Sequence, residues 1–200
     1  MLKRYCSEVY KAFSENKLSI YISIAILLIS LLLGYFLEDY LYSYFNPVVN
    51  NLNHKVSSGV IKLTYMTIFT NNMRIIIQMF IYGIFFCLSA FILAFNGFFI
   101  GYYVALQNNF FKTAILMIPH GIFELPSSIL ACASGLILFN FIFRIFKSFW
   151  NDNSFKNSVL SNLDKLKQSL IIFSVSVILM IIACFVEVYL TVPIAKFILG

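Results

Sequence analysis

Three ionisable residues, His120, Glu124 and Glu187, occur within stretches of sequence that are otherwise apolar. A charged side chain at bilayer depth costs roughly 3 kcal/mol on insertion scales, so such residues usually face a bundle interior or a watery cavity. His120 and Glu124 are four residues apart, and on a helix they lie one above the other on the same face. The sequence therefore predicts a buried polar site at these three positions, with Asn96 as a further polar group at membrane depth from another helix.

An imidazole beside a carboxylate supports several kinds of chemistry. The groups can form a clasp that fixes helix packing through hydrogen bonds, or they can hold a proton or an ion on a pathway. One histidine with two separated acids is a sparse ligand set for zinc, and a zinc protease needs two histidines on one helical turn. His54, the second histidine, lies in a predicted loop, and nothing orients Ser127 or Ser128 as a nucleophile. We therefore predict no catalytic residue, no metal and no cofactor.

The composition is that of an integral membrane protein. Of the 200 residues, 61% are hydrophobic and 11% are charged, whereas a soluble domain carries about 25% charged residues. The net charge of +6 suits anionic lipid headgroups, and because the basic residues form no stripe we expect no nucleic-acid partner. The four cysteines are widely spaced and fit small buried hydrophobes better than disulfides or metal ligands.

The apolar runs predict an all-α integral membrane protein with about five transmembrane helices, since about 20 residues span the hydrocarbon core. The predicted helices cover 18–37, 75–95, 97–112, 127–146 and 169–190. Asn96 and Gly97 predict a tight break between the second and third. Pro119 and Pro126 bracket a further apolar stretch, and because proline removes a helical hydrogen bond we predict a broken or re-entrant half-helix over 113–125.

Two polar loops are predicted, 38–72 and 147–168, each with an amphipathic part, although the first also fits an ordinary loop. We expect a cytoplasmic N-terminal segment over 1–17 and a single polytopic membrane domain over 18–200. Nine basic residues flank the side that holds the N-terminus and the second loop, against five on the other side. The positive-inside rule then predicts a cytoplasmic N-terminus and an extracytoplasmic C-terminus.

Small residues predict close helix packing. Gly97 and Gly101 form a GxxxG pattern, and Gly135 follows Ala131 and Ala133 at alternate positions. Such patterns let helix backbones approach one another. Gly121, between His120 and Glu124 in the sequence, is predicted to allow a similar approach.

Three motifs, taken in order, resemble the stage II sporulation protein M family of multi-pass membrane proteins. They are NGFFIG at 96–101, PHGIFELP at 119–126 and IACFVE at 182–187. The resemblance covers roughly 71–191. The family motif positions that carry over to this chain are Asn96, Gly97, Gly101, His120, Gly121, Glu124 and Glu187.

The resemblance implies a non-enzymatic membrane scaffold or accessory subunit that anchors or positions partner proteins, as in the engulfment step of sporulation. The implied partners are the lipid bilayer and membrane or cell-wall proteins, either cell-wall hydrolases or an ABC-type exporter. A homo-oligomer is compatible with the same role. Some family members lie in gene clusters for circular bacteriocins, which leaves a second hypothesis open: a subunit of a transport, export or immunity system that uses a buried His/Glu site. A membrane-embedded hydrolase is a third.

Overall fold

The computed structural model describes residues 2–58, 64–107, 109–150 and 155–199, and these residues form α-helices without a β-strand. The helices are α1 (Leu2–Glu15), α2 (Lys17–Phe36), α3 (Glu38–Ser57), α4 (Tyr65–Ile81), α5 (Phe86–Ala105), α6 (Phe110–Trp150), α7 (Phe155–Leu160), α8 (Leu163–Tyr189) and α9 (Thr191–Leu199). A single 3-10 turn, Tyr82–Ile84, joins α4 to α5. The predicted all-α class is confirmed.

Four of the described helices are long and apolar enough to cross a membrane. They are α2, α6, α8 and most of α5. A further helix, α4, is not among these four. It has 17 residues, which is at the lower end of the length that spans a bilayer. The first predicted span, 18–37, agrees with α2 to within one residue.

Contacts between side chains fix the relative directions of these helices. Antiparallel α6 and α8 are joined at two levels, Ser127 to Ser176 and Ser134 to Ser169. The rings of Phe80 and Phe173 stack 4.3 Å apart near the end of α4, and those of Tyr65 and Tyr189 lie 6.4 Å apart at its start, so α4 is also antiparallel to α8. Gly97 faces Leu27 and Ser30, and Gly101 faces Leu31 and Tyr35, so α5 runs parallel to α2.

The helix predicted over 75–95 is wrong, because the chain turns inside it. The turn falls at Gly83, whose backbone lies against the backbone of Gly135 in α6. A Cβ atom on either glycine would collide with atoms of the facing segment of the same protein. The turn is therefore set by a contact with a distant helix, and the apolar run around it contains no local sign of it beyond the glycine itself.

The break predicted at Asn96 and Gly97 is also wrong, since α5 continues through both residues to Ala105. Gly97 is buried beside Leu27 of α2, where a Cβ atom would lie 2.9 Å from the leucine Cδ1. Gly34 of α2 approaches the backbone of Phe98 just as closely. These glycines allow α2 and α5 to pack closely. The Asn96–Gly97 pair is typical of turns but forms no turn here.

The predicted half-helix over 113–125 is replaced by a continuous helix. α6 contains both Pro119 and Pro126 within its 41 residues. Prolines are tolerated in membrane helices when neighbouring helices and side chains compensate the freed backbone groups, and α6 is packed chiefly against α8. At 1.5 Å per residue α6 is about 60 Å long, roughly twice the hydrocarbon thickness. A straight helix of this length is longer than a single crossing requires.

Both predicted loops are largely helical. The first contains α3 and the start of α4, with 59–63 of its amphipathic part outside the described residues. The second contains the end of α6, α7 and the start of α8, with 151–154 outside the described residues. Within the polar segment predicted over 1–17, residues 2–15 form α1 and Lys17 is the first residue of α2.

A polar network ties the end of α1 to the start of α8. Asn16 donates to Gln168 Oε1 at 2.8 Å, and Gln168 donates to Glu15 Oε2 at 2.7 Å. Lys165 lies 3.6 Å from the same carboxylate oxygen. The Gln168 hydrogen bond, aided by the charges of Lys11 and Lys165, holds the pKa of Glu15 below its ordinary value. This contact therefore stabilises the fold above the unfolded pKa and is lost as the pH falls through the folded one.

The glycine contacts generate a matched pair of variants. Gly101→Ala places a methyl group against the backbone carbonyl of Leu31, whereas Gly121→Ala meets no atom within 4 Å. Overpacking of this kind costs about 1–3 kcal/mol, so the unfolding temperature of detergent-solubilised protein should fall for Gly101→Ala and stay within error for Gly121→Ala. Equal thermal stability of the two variants would contradict the close α2–α5 contact.

Candidate functional site

The three ionisable residues singled out in the sequence converge between α6 and α8. One ligand-type atom from each of His120, Glu124 and Glu187 lies within 4.8 Å of the others. The first two are stacked on one face of α6 by their four-residue spacing, and the third comes from the last turns of the antiparallel α8. We call these three side chains the His/Glu cluster.

Buried serine hydroxyls join the two helices that carry the cluster. Ser127 Oγ donates to the Ser176 carbonyl at 2.8 Å, and Ser176 Oγ donates to the Ser127 carbonyl at 2.7 Å. One level further along, Ser169 Oγ donates to the Ser134 carbonyl at 2.7 Å. All four serines are buried, so hydrogen bonds across the helix pair replace those that water would otherwise supply.

These serines were missed as interhelical contacts in the sequence. Their signal was the recurrence of small polar residues in otherwise apolar helices, which is typical of membrane helix interfaces. Because Ser127 is paired with Ser176, its hydroxyl serves packing. In the described part of the chain no hydrogen bond joins the members of the His/Glu cluster, so the clasp that was one of the possibilities left open by the sequence is not formed there.

Neither glutamate of the His/Glu cluster forms an ion pair with a lysine or arginine in the described part of the chain. Within the described part of the chain, no ion pair or hydrogen bond joins Glu124 or Glu187 to another side chain. The Nδ1 atom of His120 is buried and has no hydrogen-bond partner. Two carboxylates and an imidazole therefore face one another at partly buried positions, an arrangement that is costly unless a cation or protons neutralise the acids.

Two cavities meet at the cluster. The first, about 470 Å³, is mostly apolar and is lined by His120 and Glu124 together with side chains of α5 and α6. The second, about 780 Å³, is lined by His120 and Glu187 and has polar residues on its wall. Those polar residues are Gln107, Asn109, Lys112, Thr113 and Thr191. His120 borders both spaces, so the cluster lies where they adjoin.

The structure leaves two predicted residues outside the cluster. Asn96 is half-buried on α5 and lines neither cavity. Gly121 lines the first cavity, but a Cβ atom there would meet nothing within 4 Å, so the packing role predicted for Gly121 is wrong. In contrast, Gly97, Gly101 and Gly135 each lie in close contact with a neighbouring helix.

A helical bundle with four long apolar helices and a polar cluster between two of them defines a multi-pass integral membrane protein. The chain belongs to the stage II sporulation protein M family, whose family model matches residues 23–192. The match includes both helices that carry the cluster.

Two proteins of the archaeon Methanocaldococcus jannaschii, each described as uncharacterized, are similar to the chain. One is 36% identical over 163 residues, which cover 76% of this chain and 87% of the relative. The other is 30% identical over 203 residues, which cover 94% of this chain and 88% of the relative. No solved structure matches the chain.

The convergence of α6 and α8 can be tested by crosslinking. In a chain whose four native cysteines are replaced by alanine, the pair Glu124→Cys and Glu187→Cys should be joined by a short bismaleimide. The control pair Glu124→Cys and Lys167→Cys should not, because 20 residues of α8 separate Lys167 from Glu187, or about 30 Å. Mass spectrometry of digested protein reads out both pairs, and equal yields would contradict the observed register.

Proposed function

We propose that the protein is a non-enzymatic membrane scaffold or accessory subunit that positions partner proteins at the extracytoplasmic face. The observation that carries this proposal is α3, a 20-residue helix that touches the bundle at few points. Its described contacts include Phe45, whose ring lies 5.8 Å from that of Phe98 and 5.4 Å from that of Tyr102. The helix is thus held in place while most of its surface remains uncovered.

The uncovered side of α3 has the character of a protein-binding surface. Tyr40 and Tyr44 are 80% and 74% exposed, and the first turn carries Glu38 and Asp39. Tyrosine is enriched at binding hot spots because it offers a large contact area and a hydroxyl group. Family membership supports the same role, and the partners that fit it are cell-wall hydrolases or an exporter.

The orientation in this proposal rests on the distribution of basic residues. The start of α2 lies beside the start of α8 through the Asn16–Gln168 contact, so α1 and the start of α8 lie at the same end of the bundle. That end has the larger share of lysine and arginine, which favours the cytoplasmic side. α3 follows α2 and lies at the opposite end, together with the His/Glu cluster near the end of α8.

A double variant tests the α3 surface. Tyr40→Ser with Tyr44→Ser should reduce the recovery of partner proteins roughly thirtyfold in crosslinked affinity purification from native membranes, because losing hot-spot aromatics costs about 2 kcal/mol or more. The control is Tyr10→Ser, an equally exposed tyrosine of α1 at the other end of the bundle. Unchanged recovery of partner proteins with the double variant would contradict a docking role for α3. In a separate assay, solute movement across liposomes that contain only the purified protein would contradict a scaffold without transport activity.

The cavities favour a second candidate, a subunit of a transport or export system. Buried acids beside cavities recur at transport sites in membrane proteins, and the His/Glu cluster borders two cavities. In this case Glu124→Gln should abolish export or immunity in cells while leaving the amount of protein in the membrane unchanged. An unaltered export phenotype in that variant would remove this candidate.

A further inference from the structure

We propose that His120, Glu124 and Glu187 form a binding site for a divalent transition-metal ion, with Zn²⁺ or Mn²⁺ as the chemical class. The proposal goes beyond the scaffold function and does not depend on it. Its basis is the convergence of one imidazole and two carboxylates, from two helices distant in sequence, within 4.8 Å of one another.

Charge balance is the first argument. In the described part of the chain no lysine or arginine pairs with either glutamate. Two ionised carboxylates side by side at membrane depth repel each other and lose their hydration. A divalent cation placed between them cancels both charges, whereas a scaffold contact between helices requires neither charge.

Ligand type is the second argument. Carboxylates alone suit Mg²⁺ or Ca²⁺, but an imidazole nitrogen suits Zn²⁺ and other transition metals. Zn²⁺ binds such ligands at about 2.0–2.2 Å, so ligand atoms around one ion lie roughly 3.4 Å apart. The three ligand atoms lie within 4.8 Å of one another, so no pair has to close by more than about 1.4 Å to bind one ion.

Burial and access are the third argument. His120 Nδ1 is a buried nitrogen without a hydrogen-bond partner, and a buried imidazole normally has both nitrogens occupied by a hydrogen bond or a metal. The larger cavity reaches Glu187 and His120 along a wall that includes Gln107, Asn109 and Thr191, with the cationic Lys112 also on it. That polar wall offers a hydrated ion a path to the cluster, and three protein ligands leave a coordination position open toward the cavity for water.

The test uses the full-length protein, purified in detergent, stripped with a chelator and then titrated with Zn²⁺ and separately with Mn²⁺. We expect about one bound ion per chain by elemental mass spectrometry, together with a rise in unfolding temperature. Each of His120→Ala, Glu124→Gln and Glu187→Gln should weaken binding by at least about tenfold, since even outer-shell changes cost 10–100-fold. Glu38→Gln, which removes a half-buried acid outside the cluster, should bind as the wild type does.

A second measurement separates loss of the site from loss of the fold. Without metal, Glu124→Gln should unfold at the same temperature as the wild type or higher, because one unpaired buried charge has been removed. The rise in unfolding temperature on addition of metal should be absent from Glu124→Gln, both as a single variant and when it is combined with the other two cluster substitutions. Retained binding in all three cluster variants would overturn the proposal. Absence of binding of either ion to the wild type would also overturn it and would indicate that the two glutamates share protons instead.

Discussion

The antiparallel packing of α6 against α8 is the interaction on which the rest of the structure depends. Reciprocal hydrogen bonds between Ser127 and Ser176 fix its register with backbone carbonyls as acceptors. A hydroxyl bonded to a carbonyl of the facing helix allows very little axial sliding, since a shift of one residue would leave buried polar groups unpaired. Because lipid is as apolar as the helices, such contacts and close packing must hold them together without a hydrophobic driving force.

Glycine contacts attach the other helices to this pair. The turn at Gly83 lies directly on Gly135 of α6, and α5 then packs along α2 through Gly34, Gly97 and Gly101. At Gly34, Gly83 and Gly101 the glycine lies against the backbone of the facing segment, and Gly97 lies against the side chains of Ser30 and Leu27. Such close approach increases dispersion contacts and leaves no space for a larger side chain at these positions. The bundle is thus arranged around α6, and the exposed helix α3 is attached to α5 through aromatic rings.

The His/Glu cluster lies on this rigid helix pair, although the packing of the pair does not require it. Its three members lie between two cavities, and the helices that carry them are already joined by serines. Charged groups at membrane depth are costly, and here they do not form the clasp that would explain them structurally. The proposed metal site and the proposed protein-binding surface of α3 are therefore separate parts of the molecule.

The sequence by itself determined the class of the protein and the residues of the cluster. Apolar runs of about 20 residues can be satisfied only by membrane helices, and an acid inside such a run needs a reason. The tertiary structure determined which of the local signals for a helix break produce a break in the fold. Asn96–Gly97 and the two prolines of α6 indicate breaks locally, yet α5 and α6 continue through these positions, with α5 packed on α2 at Gly97 and α6 packed on α8. Conversely, the turn at Gly83 and the meeting of Glu124 with Glu187 depend on residues far apart in the chain, and local pattern carries no information about such contacts.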